Sequence, residues 1–123
     1  RTAIAHSMSY PITAHFGLPH GLACSFTLPA ILEKIMNADD GRLRIAAQVL
    51  GYSDARELGD SLSALLNFLN VGARVRKAIG QFDNLLPLVD QMFTPERSDN
   101  LFCKIGLEDV GRILQRTQVL LSL

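Results

Sequence analysis

From Phe16 to Gly21 the chain reads Phe-Gly-Leu-Pro-His-Gly. Two glycines and a proline within six residues form the strongest loop punctuation in the sequence. The segments on either side must therefore be separate elements, and the backbone is free to double back between them. Ahead of the loop, Thr2 to Ala14 carries apolar residues at helical spacing. Pro11 interrupts this helix and demands a kink or break, because it has no amide proton and crowds the preceding turn. Beyond the loop, Leu22 to about Met36 is almost uniformly apolar. A helix that is apolar all round is buried on all sides, which predicts a central element.

The remainder is helical in pattern as well. Arg42 to Leu50 sets Leu43, Ala46, Ala47 and Leu50 on one face after the polar turn Asn37-Ala38-Asp39-Asp40-Gly41, and Gly51 stops it. Ser53 is a candidate N-cap for a helix reaching about Asn70, with Leu58, Leu62, Leu65, Leu66 and Leu69 as its apolar stripe. Val71-Gly72 reads as its stop. A short helix over Asn84 to Met92, a polar loop over Thr94 to Asn100 and a last helix over Leu107 to Leu121 complete the chain. In the last helix Val110, Ile113, Leu114 and Leu121 share one face. No segment keeps the period-2 alternation of a strand, so the expected fold class is an all-α helical bundle, one domain over residues 1–123.

Charge and hydropathy exclude several functions. Twelve basic residues balance twelve acidic ones, and the isoelectric point is about 7.0. Nucleic acid and anionic membrane surfaces, which call for clustered Lys and Arg, are not expected partners. No apolar run approaches the roughly 20 residues of a spanning helix, so a soluble, cytoplasmic chain is expected. Cys24 and Cys103 read as two reduced, buried thiols rather than a disulfide. The dinucleotide fingerprint, the phosphate-binding P-loop, the nucleophile elbow and the paired-cysteine zinc motif are all missing.

Histidine placement is the chemical signal. His6, His15 and His20 all fall within the first 20 residues and none follows. Imidazole is the commonest protein metal ligand and titrates nearest neutral pH. The group therefore points to metal binding or acid/base work, while spacing alone leaves unrelated surface or core histidines open. His6 and His20 lie 14 residues apart, which in an unbroken helix would separate them by about 20 Å. A break near Pro11 and the Gly17 to Pro19 loop would let His20 return to His6.

The stretch His6-Ser7-Met8-Ser9-Tyr10-Pro11-Ile12-Thr13-Ala14-His15-Phe16-Gly17-Leu18-Pro19-His20-Gly21-Leu22-Ala23, followed by Leu28-Pro29, resembles the second signature of the iron-containing (group III) alcohol dehydrogenases. That signature has a His, a second His four residues on, Pro, a stretch ending in Gly-x-Pro-His-Gly, and an apolar helix with Leu-Pro. The resemblance extends more weakly over the whole chain. It implies the C-terminal part of a helical metal-binding domain of dehydroquinate synthase-like architecture, with the N-terminal dinucleotide-binding domain absent from this chain. By the same likeness His6 and His20 correspond to two metal ligands, and an Asp and a His on an upstream helix have no counterpart here.

The implied activity is that of an NAD(P)-linked alcohol dehydrogenase or aldehyde reductase acting on a small aldehyde or alcohol, in homodimers or larger homo-oligomers. Its metal is divalent, iron(II) by family habit, although imidazole and carboxylate ligands suit zinc and other ions equally. Where the family often has a non-ligating histidine near the substrate, this chain has Tyr10. Tyr10 is then the candidate catalytic donor, though a phenol, titrating near ~10, shuttles protons less well at neutral pH. His15 is the candidate substrate-binding residue. The form Tyr-Pro-x-Thr-Ala-His-Phe-Gly-Leu-Pro-His-Gly is similar to members that reduce phosphonoacetaldehyde. With only two ligands, the chain alone is expected to hold metal weakly and to be inactive. A non-catalytic helical interaction module and a metal-dependent lyase or synthase are the alternatives.

Overall fold

Burial decides where the helices form, and prolines and left-handed residues decide where they end. The computed structural model describes residues 3–98 and 100–123. Arg1, Thr2 and Asp99 lie outside the described residues, and with them the expected helix start at Thr2 and one residue of the expected Thr94–Asn100 loop. Helix α1 spans Ile4–Phe16 and runs through Pro11 without the expected break. Its Ile4, Met8 and Ile12 are buried at four-residue spacing, so packing on both sides of Pro11 outweighs the one backbone hydrogen bond that the proline forgoes.

The reversal falls entirely at Gly17-Leu18-Pro19. Gly17 ends α1 at φ +65°, and its N–H donates to the carbonyl of Thr13 at 2.9 Å. Only glycine enters this left-handed region without steric penalty. Leu18 is buried beneath the turn. The chain then runs back along α1 as α2, His20–Ser25.

The expected single helix over Leu22 to Met36 is in fact two. After α2 the chain turns at Phe26-Thr27, and α3 occupies Leu28–Met36 with Pro29 in its first turn. Proline fits there because first-turn amides have no partner within the helix, and it would not fit farther in. Nor is this stretch buried all round, since Leu28 and Lys34 face solvent.

Helix α4, Arg42–Val49, buries only Ala47 of its expected face. In α5, Ala55–Phe68, the N-cap is Asp54 rather than Ser53. Its side chain accepts from Glu57 N at 2.8 Å, while the Ser53 N–H and hydroxyl both donate to Glu57 Oε2 at 2.6 Å. Asn70, at φ +53°, separates α5 from α6, Val71–Ile79, a helix that stands where the sequence reading placed a stop. A 3₁₀ segment over Phe82–Leu88 leads into α7, Val89–Met92. A short α8, Pro95–Ser98, lies within the expected polar loop. Helix α9, Leu107–Leu121, matches its expected span and face.

The expected all-α class holds, with no strand among the described residues. One cluster of buried side chains runs from Met8 and Ile12 through Phe26, Val75, Leu85 and Met92 to Ile113 and Leu114. Polar ties join α3 to α9. Arg116 donates two hydrogen bonds to Glu33, at 2.6 and 3.0 Å, and Lys34 Nζ lies 2.7 Å from Asp109 Oδ1. The Arg116 hydrogen bonds hold the Glu33 carboxyl below its ordinary range, and the hydrogen bond from Lys34 does the same for Asp109. Neither cysteine is fully buried as expected; both are free and half-buried.

Two predictions follow from this packing. A Cβ at Gly72 would collide with the backbone carbonyl of Leu121, while one at Gly111 would meet open space. Gly72→Ala is expected to cost about 1–3 kcal/mol as overpacking against rigid backbone, and Gly111→Ala to gain up to about 1 kcal/mol from helix propensity. Chemical denaturation midpoints of the two variants check the pair. Separately, a carboxyl whose pKa is depressed by folding stabilises the fold above its unfolded value of about 4.3 and loses that contribution as pH falls through the folded value. Acid unfolding of Glu33→Gln should therefore show a shallower loss of stability below about pH 4.5 than the parent, by less than ~1 kcal/mol because the pair is half exposed.

Candidate metal centre

Three residues of α1 build one face of the centre. His6, Ser9 and Tyr10 stand three and four positions apart, so their side chains neighbour one another along a single helix face. Helix α2 packs against this face and opens with His20. The turn thus brings the rings of His6 and His20 to a centroid separation of 5.6 Å, tilted by 55°.

Ser9 lies beside the His20 ring. Its side chain is fully buried, and its hydroxyl donates to the carbonyl of His6 at 2.8 Å. The same hydroxyl oxygen lies 3.4 Å from Nδ1 of His20. The Nδ1–H tautomer of His20 would donate to this oxygen and keep the Nε2 lone pair for a metal.

Cys24 stands beside that nitrogen, its Sγ 3.5 Å from His20 Nε2 and 3.9 Å from Nδ1. His6, His20 and Cys24 each offer one ligand atom, and these atoms lie within 4.8 Å of one another. Two imidazoles and a thiol are donors suited to transition metals rather than to hard, oxygen-seeking ions. The residues present therefore fit a divalent transition metal.

Tyr10 stacks on His20, with ring centroids 5.6 Å apart and planes 26° apart, and remains accessible to solvent. The guanidinium of Arg97, on α8, lies 4.4 Å from the centroid of the Tyr10 ring. Such a cation over an aromatic face is worth roughly 0.5–2 kcal/mol. It also sets a fixed positive charge at the rim of the centre.

Of the residues read from the sequence, the structure gathers His6, His20 and Tyr10 and does not bring His15 to them. His15 is nine positions beyond His6, about two and a half turns, which directs it to the opposite side of α1. There its Nε2 lies 3.2 Å from Gln91 Oε1 of α7. Sequence reasoning missed Cys24, Ser9 and Arg97. For Cys24 a signal existed in the four-residue spacing from His20, which places both on one helix face once the helix is seen to begin at His20.

The family model described as Fe-containing alcohol dehydrogenase family, C-terminal, matches residues 1–118. No curated protein and no solved structure matches the chain.

Proposed function

The chain belongs to the Fe-containing alcohol dehydrogenase family, and from that premise we propose that its histidine face forms part of an oxidoreductase site passing hydride between NAD(P) and a small aldehyde or alcohol. Membership carries a metal-dependent, alcohol dehydrogenase-like role at the level of the family. The observation that carries the assignment to this face is the approach of His6 and His20 to 5.6 Å across 14 residues of sequence. On this reading these two imidazoles are ligands of the family's metal, iron(II) in the first instance. An Asp and a His from a preceding part of the protein complete the set, and a nucleotide-binding domain there holds the cofactor.

When bound, the metal supplies Lewis-acid polarisation of the substrate oxygen and the nicotinamide carries the hydride. The chain's own residues do the positioning. Ser9, beside Nδ1 of His20, would favour the tautomer that leaves Nε2 to the metal, and a ligand held on a packed helix loses little freedom on binding. Tyr10, stacked on His20 and open to solvent, donates a hydrogen bond to the oxygen that becomes the alcohol. Arg97 adds a positive charge over the Tyr10 ring. That charge favours an aldehyde with an anionic group close to its carbonyl, and phosphonoacetaldehyde is such a substrate.

In the whole protein, His6→Ala and His20→Ala are each expected to lower bound metal at least about tenfold by elemental analysis, with aldehyde reduction lost in parallel. Normal occupancy in both variants would remove the ligand assignment. For the substrate, Arg97→Met should raise KM for phosphonoacetaldehyde about tenfold, the ~1.5 kcal/mol of one hydrogen bond to a charged group, while leaving KM for an uncharged aldehyde of similar size unchanged. Equal effects on both substrates would set the phosphonate reading aside.

A further inference from the structure

We propose that the buried hydrogen bond between Ser7 and Thr94 positions Arg97 over Tyr10, and that this pair of hydroxyls thereby sets the selectivity for anionic aldehydes. The inference rests on the reading of Arg97 as the charge that favours such substrates, and it adds two positioning residues to that site. Ser7 is 1% exposed, and its hydroxyl donates to Thr94 Oγ1 at 3.0 Å across 87 positions of sequence. A serine inside a helix often turns its hydroxyl back to a carbonyl one turn earlier, as Ser9 does toward His6. Ser7 instead reaches off α1 to the residue from which α8 starts.

Arg97 needs such a tie. Helix α8 has four residues, Pro95–Ser98, far below the roughly 12–15 that an isolated helix needs in water. It cannot hold the direction of a long side chain by itself. The N–H of Arg97 donates to the carbonyl of Thr94 at 3.0 Å, closing the single turn that carries the guanidinium. Thr94 thus begins that turn with its backbone and fastens it to α1 with its side chain. The two cross-contacts are also in register. Ser7 to Thr94 and Tyr10 to Arg97 span the same 87 positions, so both segments advance by three residues, about one turn, between the hydrogen bond and the cation–ring contact. Apolar side chains would close the α1–α8 contact as well, but a hydrogen bond adds direction, which apolar burial does not.

With the tie in place, the guanidinium stays 4.4 Å from the centroid of the Tyr10 ring, beside the phenol that on the proposed reading meets the substrate oxygen. Without it, α8 is free to swing outward and the charge spreads into solvent, where its pull on an anionic group is screened. The loss falls on substrates that carry such a group, because an uncharged aldehyde gains nothing from Arg97. It falls on KM rather than kcat, because neither hydroxyl touches the metal position or the path of the hydride.

In the whole protein, Ser7→Ala and Thr94→Val are each expected to raise KM for phosphonoacetaldehyde about three- to tenfold, the loss of one buried hydrogen bond. Bound metal, kcat and KM for an uncharged aldehyde of similar size should not change. Thr94→Ser keeps the hydroxyl and should match the parent. Combining Ser7→Ala with Thr94→Val should cost no more than the worse single change, and neither should add to the effect of Arg97→Met. Trypsin supplies a readout independent of any substrate. Cleavage after Arg97, read by mass spectrometry, should speed up about three- to tenfold in Ser7→Ala and in Thr94→Val, because it follows the opened fraction of the segment. Cleavage after Arg112 in α9 should keep the parent rate, which shows that the fold as a whole is intact. Equal KM effects on both aldehydes, metal lost in both variants, or unchanged cleavage after Arg97 overturns the positioning role and leaves the reading of Arg97 standing. An Arg97→Met variant that treats the two aldehydes alike overturns that reading and the selectivity claim together.

Discussion

The left-handed turn at Gly17 is the constraint on which the candidate centre depends. A residue with a Cβ would pay a steric penalty of roughly 1–2 kcal/mol at this φ, and without the turn α1 would carry His20 away from His6. Three successive residues divide the work. Gly17 reverses the backbone while its N–H still serves the end of α1, Leu18 anchors the reversal by burial, and Pro19, at φ −51°, sets the direction in which α2 begins. The ring-to-ring approach of His6 and His20 is therefore a consequence of backbone conformation and core packing, and the histidines themselves contribute little to it.

The rest of the bundle makes that turn rigid. Met8 and Ile12 on the inner side of α1 and Ala23 on α2 are fully buried in the same cluster as Met92 of α7 and Leu114 of α9. The outer side of α1 presents His6 and Tyr10, with buried Ser9 between them. One helix thus carries core residues on one side and the candidate site residues on the other, and sliding it to move them would expose the core. An aliphatic-lined cavity of about 410 Å³ between α1, α3 and α5, bordered by Ile4, Ile31, Ile35, Leu58 and Leu62, lies among apolar side chains and offers no group suited to the chemistry.

Local patterns carried most of the fold, and the misreadings have physical causes. Helical class, the last helix and the reversal near Gly17 follow from periodicity and glycine chemistry, which act over a few residues. Pro11 and Pro29 look alike in sequence. Pro11 is absorbed inside a packed helix, while Pro29 starts a new one, and only tertiary packing separates the two outcomes. Gly72 reads as a helix stop, yet it sits inside α6 because the helix approaches the Leu121 carbonyl too closely for any side chain. The four-residue rhythm of Val71, Val75 and Ile79 was the better signal, since all three are buried. At the centre, His6, Tyr10 and His20 were legible through a motif of fixed offsets. Arg97 was not, because its approach to Tyr10 spans 87 positions of chain and no local rule relates them.

The exposure of the centre bears on how such a site can work. His6 and Cys24 are half-buried and His20 is open, so an ion held by this face alone would keep much of its coordination sphere in water. Catalytic metal sites combine about three protein ligands with one open position in a shaped, water-poor cavity. A face that is rigid in its backbone yet open in its ligands supplies the first requirement and not the second. On the proposed reading the water-poor wall comes from whatever covers this face, and the chemistry belongs to the junction rather than to the helices. Ligand sites commonly lie between domains for this reason, because each side can be stiffened by its own core while the gap between them admits substrate. Tyr10 and Arg97, stacked outward from His20, then stand at the mouth of that gap. On the same reading a hydrogen-bond donor and a fixed charge there would discriminate among substrates without entering the metal's coordination sphere.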